Sequence, residues 1–172
     1  MKNTGTLKVN ASGEREVVMT RVFGAPREWV FEAWTKPEIV KHWHYGPDDF
    51  PLTRCEIDLR VGGVLRIEWA HRDGHRMGLS GVYRQIAPPG RLVFTETWDD
   101  DWTGGEAVVT ITFSESAGKT TLTQTVLYSS RAARDAVMQT PMEHGAAVSY
   151  DRLAALLASG EFRARSFQEA RR

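Results

Sequence analysis

Residues 55–71, CEIDLRVGGVLRIEWAH, and residues 88–98, PPGRLVFTETW, decide the fold. From Arg54 the pattern has a period of two: Cys55, Ile57 and Leu59 share one face, and Arg54, Glu56, Asp58 and Arg60 take the other. After Gly62 and Gly63, Leu65, Ile67, Trp69 and His71 alternate with Arg66, Glu68 and Ala70, and the Asp73, Gly74 pair predicts a hairpin turn. A strand over about Met77 to Ile86 leads to the turn Pro88, Pro89, Gly90. Beyond it Leu92, Phe94, Glu96 and Trp98 form one row, with Val93, Thr95 and Thr97 opposite. The two glycines supply a backbone without a side chain, either where a strand bends sharply or in a simple turn.

Working outward, Ala107, Val109, Ile111 and Phe113 make another apolar row. Gly118 marks a turn, and Leu122, Gln124, Val126 and Tyr128 make the next row. Successive hairpins predict an antiparallel sheet. Before it, Glu16 to Phe23 reads as a strand, and Pro26 opens a short helix burying Val30, Phe31 and Trp34. Thr35 and Pro37 open a second, carrying Ile39, Val40 and Trp43. After the sheet, Ser130 caps a helix from Arg131 to about Met138, and Thr140 with Pro141 starts a longer one reaching about Ala158. On that helix Met142, Gly145, Ala146, Ser149, Leu153, Leu156 and Leu157 recur at helical spacing. Helices and strands are segregated rather than alternating, which predicts an α+β domain over residues 15–159, between a flexible leader (1–14) and a flexible tail (160–172).

With 22 Lys and Arg against 22 Asp and Glu, the chain has no global field to recruit nucleic acid or acidic lipid. Its single cysteine, Cys55, cannot form an internal disulfide, and residues 1–15 lack the apolar run of a secretory signal; the expectation is a soluble chain in a reducing cytoplasm. No apolar run approaches the roughly 20 residues of a membrane helix. A chain of 172 residues can bury about 70% of its unfolded surface as one domain, without a structural metal.

Five fragments in register carry a family resemblance: Thr20, Arg21, Phe23, Ala25 and Pro26; Trp34, Pro37 and Trp43; Asp58 through Gly63; Pro89 through Trp98; and Gly145, Ser149, Asp151, Arg152 and Leu153. Together they resemble the activator-of-Hsp90-ATPase-homologue family of the START-like (SRPBCC, birch-pollen-allergen-like) superfamily. The resemblance implies a helix-grip fold, in which a curved antiparallel sheet wraps a long C-terminal helix around an apolar cavity and two short helices close one end. It also implies a small apolar, aromatic or lipid-like ligand. A polyketide cyclase or aromatase-like enzyme is the alternative from the same superfamily. The family name suggests an Hsp90-type chaperone partner, on which the sequence is silent. In one respect the chain departs from the pattern: members often carry a large aromatic after the glycine matching Gly145, where this chain has Ala146, and Tyr150 replaces a common aliphatic. Either another side chain fills that volume or it enlarges the cavity.

Trp34, Trp43, Trp69, Tyr83, Phe94 and Trp98, with Trp102 and the flexible Met138 and Met142, suit a pocket that adapts to its guest, as well as an ordinary core. Glu96 lies in an apolar row. If buried, its carboxyl can serve as a general acid or base or anchor a ligand; if the strand frays near Asp99, Asp100 and Asp101, it meets solvent or an arginine. His71, Tyr83 and Gln124 are further donors on or beside the apolar rows, and His71 and Tyr83 join Glu96 as catalytic candidates. Asp58, Arg60 and Arg152 read as a structural ion cluster. His42, His44, Cys55 and His75 lack diagnostic metal spacing, and no phosphate loop or nucleophile elbow occurs, so neither a metal nor a cofactor is expected. Residues 44–52, with glycine and prolines, form a candidate lid, and homodimerisation through a sheet edge or the helix stays open.

Overall fold

The structure is a computed structural model that describes residues 7–45, 48–159 and 161. Eight strands form one antiparallel sheet: β1 (Lys8–Ser12), β2 (Glu16–Phe23), β3 (Leu52–Ile57), β4 (Val64–Ala70), β5 (Arg76–Ala87), β6 (Arg91–Trp98), β7 (Ala107–Ser116) and β8 (Lys119–Leu127), in the order β1-β2-β8-β7-β6-β5-β4-β3. Helices α1 (Arg27–Thr35) and α2 (Pro37–Val40) lie between β2 and β3 in the chain. Helices α3 (Arg131–Met138) and α4 (Met142–Ala158) follow β8. This is the helix-grip α+β architecture. No helix among the described residues is long and apolar enough to cross a membrane.

The period-two rows explain the sheet. On β7 Ala107, Val109, Ile111 and Phe113 are all buried, and the register sets Ile111 opposite Leu92 on one side and Gln124 on the other. Apolar cross-strand pairs such as Ile111 with Leu92 stabilise the sheet, and Gln124 interrupts the row. The C-terminal half of α4 closes this core with Leu153 and Leu157, joined by Val30 of α1 and Val137 of α3. Ser130 caps α3 by accepting from the Ala133 amide at 3.0 Å. Beneath α4, Arg21 of β2 stands 2.8 Å from Asp151, both almost wholly buried, as an ion pair without the alignment of a hydrogen bond. A buried pair of this kind fixes position more than it adds stability.

Several expectations are corrected. Residues 8–12, assigned to a flexible leader, form β1, paired with β2 from Lys8 opposite Thr20 to Ser12 opposite Glu16. Arg134 of α3 holds that hairpin through the carbonyls of Ser12, Gly13 and Glu16, contacts too distant in sequence for local periodicity to reveal. The rest of the leader up to residue 6 and, apart from Glu161, the tail lie outside the described residues. Leu59 is 41% exposed, because β3 ends at Ile57 and residues 58–63 turn. Gly62 has φ +85°, and its amide donates to the Tyr83 carbonyl at 2.8 Å while the Tyr83 amide returns a bond to Gly63 at 3.0 Å. The glycines therefore fold a turn back onto β5. Asp58 and Arg60 pair at 2.7 Å on the open surface, and Arg152 joins neither; it reaches Asp48 and the Tyr45 carbonyl.

Candidate functional site

The N-terminal half of α4 stands off the concave face of the sheet and leaves a cavity of about 320 Å³. Met142, Gly145, Ala146, Ser149 and Tyr150 line it from α4, and Met19, Gln124, Val126 and Tyr128 from β2, β8 and the residue after β8. Its remaining wall is largely aromatic. Trp34 and Trp43 come from the short-helix region, Trp69 from β4, Trp98 from β6 and Trp102 from the following turn. Trp69 and Trp98 stack at 5.5 Å between centroids, and Trp102 tilts against Trp98 at 5.2 Å. The volume falls within the range of small-molecule sites.

Three of these indoles are fixed by their own N–H groups: Trp43 donates to the Ala33 carbonyl at 2.9 Å, Trp69 to the His44 carbonyl at 2.7 Å, and Trp98 to Glu96 Oε1 at 3.0 Å. Those of Trp34 and Trp102 are buried with no partner among the described residues. Tyr45 hangs over the cavity because its carbonyl accepts from Ser149 Oγ at 2.8 Å and from Arg152, whose guanidinium also lies 3.8 Å above its ring. Phe50 lines the rim, so described parts of the segment read as a lid reach the cavity.

Glu96 faces inward. The alternation of β6 carries Leu92, Phe94 and Glu96 to the concave side. No arginine meets it there: Arg66, on the opposite face of the sheet, pairs with Asp99 at 2.6 Å. Glu96 lines the cavity, and burial pushes its carboxyl above the usual range against a smaller opposing effect of the Trp98 hydrogen bond. Among the described residues its one side-chain hydrogen bond is that from Trp98 to Oε1, which leaves Oε2 free to accept another. His44 stacks on Trp43 at 4.9 Å, and burial lowers its imidazole to about 4, leaving it neutral at pH 7. Tyr150 donates to Gln124 Oε1 at 2.5 Å, and burial raises the phenols of both Tyr150 and Tyr128.

The expected site residues separate into groups. Trp34, Trp43, Trp69, Glu96, Trp98, Gln124, Met142 and Ala146 line the cavity together. Tyr83 and Phe94 line an adjoining void of about 30 Å³, which shares Trp34, His44, Leu79, Glu96 and Gln124 with the main cavity. Met138 lines neither. His71 leaves the apolar row because β4 ends at Ala70; it sits at the hairpin between Asp49 (2.7 Å) and Asp73 (2.9 Å), which raise its pKa. The three catalytic candidates therefore do not converge. Sequence reasoning missed Met19, Tyr128 and Tyr150 as lining residues; Tyr128 ends the same row as Gln124, a signal that was available. Among the described residues no group of three or more His, Cys, Asp or Glu side chains gathers as a metal site.

A curved sheet gripping a helix, with an aromatic cavity between them, defines a START-like protein. Residues 24–158 match the family described as Activator of Hsp90 ATPase homolog 1-like protein, and the chain belongs to that family. A crystal structure of a Rhodobacter sphaeroides protein is similar at 30% identity and a TM-score of 0.84, with 89% of this chain and 98% of that one covered. The AHSA1 protein of Silicibacter pomeroyi is similar at 25% identity and a TM-score of 0.67, covering 83% and 97%. A Mycobacterium smegmatis protein shares the fold at 23% identity and a TM-score of 0.77, covering 87% and 96%. No curated protein matches the chain.

Proposed function

We propose that the protein binds one small apolar or aromatic molecule in the cavity between the sheet and the N-terminal half of α4. The observation that carries this reading is the unfilled volume of about 320 Å³ beside Ala146. Close packing is the norm inside proteins, and an opening of this size forgoes contacts that a larger side chain would make. The aromatic wall gives a planar guest extensive contact, while Met19 and Met142 adjust to its shape. Glu96 and Gln124 stand between the main cavity and the smaller void, where they orient the guest through hydrogen bonds.

Fluorescence titration with N-phenyl-naphthylamine tests the reading. Saturable one-to-one binding with a blue-shifted, enhanced emission supports it. A linear, non-saturating response across the probe's soluble range contradicts it.

A further inference from the structure

Resting on that reading, we propose that the cavity selects a ligand carrying an ammonium group on an aromatic or apolar body, with the ammonium seated against Glu96 and the surrounding indoles. Three features of the wall suit a cation rather than an anion. Glu96 is an acid whose one side-chain hydrogen bond among the described residues, from Trp98, goes to Oε1 and leaves Oε2 free to accept another. Among the described residues no Lys or Arg lines the cavity, and the one histidine that does, His44, is an uncharged ring stacked on Trp43. Trp69, Trp98 and Trp102 form a contiguous aromatic group beside that acid, and π systems attract cations most strongly where water is excluded.

Among the described residues, the charged groups near Glu96 on neighbouring elements do not supply the missing cation. On the other face of the sheet, Arg66 is held by Asp99 and Glu68. On the α4 side, Arg21 is held by Asp151 and Arg152 by Asp48. A guest ammonium completes the pair: the carboxyl gives up its proton to solvent, and the resulting carboxylate and the cation compensate one another in a site where either alone is unfavourable. A guest carboxylate meets the opposite situation: among the described residues no lysine or arginine lines the cavity to receive it. Exclusion of fatty-acid-like anions is thus part of the same selectivity.

The test uses the full chain and three naphthalene probes of similar size, measured by isothermal titration calorimetry: N,N-dimethyl-naphthylethylamine, the tertiary alcohol of the same skeleton, and naphthylpropionate. The amine is expected to bind at least about tenfold more tightly than the alcohol, and the propionate most weakly. Where the free Glu96 carboxyl is protonated, amine binding is expected to release protons to buffer. In Glu96→Gln the preference for amine over alcohol is expected to shrink to within about twofold. Equal binding of amine and alcohol, tightest binding of the propionate, or a preference that survives Glu96→Gln overturns the ammonium proposal and leaves the cavity reading standing. Failure of all three probes to bind overturns both.

Discussion

Ala146→Leu separates a cavity kept open for a ligand from a merely loose interior. Ala146 lies on the wall, and leucine at this helical position extends into the space of about 320 Å³ without requiring the backbone to move. The added carbons gain about 2 kcal/mol of apolar burial at about 0.8 kcal/mol per methylene. Ordering the new rotamer takes back about 0.5–1 kcal/mol, leaving a gain of about 1 kcal/mol. For a chain of 172 residues that corresponds to a rise in Tm of about 2–4 °C. Affinity for N-phenyl-naphthylamine should fall at least about tenfold, because the guest and the new side chain compete for one volume. Differential scanning fluorimetry of the unliganded protein and the probe titration measure the two effects on one preparation. A lower Tm shows that the space beside Ala146 is already packed, and an unchanged affinity places the probe elsewhere; either refutes the reasoning.

Three other outcomes follow from the same geometry. Because burial raises the Glu96 pKa, the folded protein holds a proton that the unfolded chain releases, so its contribution favours folding below the unfolded value of 4.5 and is lost as pH rises through the folded value; Glu96→Gln should therefore raise Tm more at pH 7 than at pH 4.5. His44 has the opposite sign: lowered from 6.5 to about 4, it makes stability fall as pH drops through that window, and His44→Phe should flatten this part of a Tm-against-pH profile. Gly63→Ala places a Cβ 2.0 Å from the Asp58 carbonyl oxygen, so chemical denaturation should show a loss of about 1–3 kcal/mol, whereas alanine at Gly24, with nothing within 4 Å, should be tolerated.

Much of the fold is legible because the sheet is written locally. Rows such as Ala107, Val109, Ile111 and Phe113 announce their inward face through period two alone. What periodicity cannot show is where a row stops. His71 and Leu59 continue their rows on paper, but the chain turns at each, and both side chains leave the interior. β1 was hidden for a related reason: its residues stay mostly exposed, and it is held in place by β2 and Arg134, both distant partners. The site was legible where a polar residue interrupts an apolar row, as Glu96 and Gln124 do. The contributions of Met19 and Tyr150 depend on how α4 crosses the sheet, which no single segment encodes, whereas Tyr128 simply ends the row of Gln124.

Proton–nitrogen correlation NMR of the indole N–H groups tests the central claim most directly, because five of the six tryptophans, Trp34, Trp43, Trp69, Trp98 and Trp102, line the cavity and Trp29 does not. Titration with N-phenyl-naphthylamine is predicted to shift the resonances of the cavity tryptophans along one saturating curve while that of Trp29 stays in place. Shifts confined to Trp29, or of equal size at all six, would contradict a ligand site between the sheet and α4.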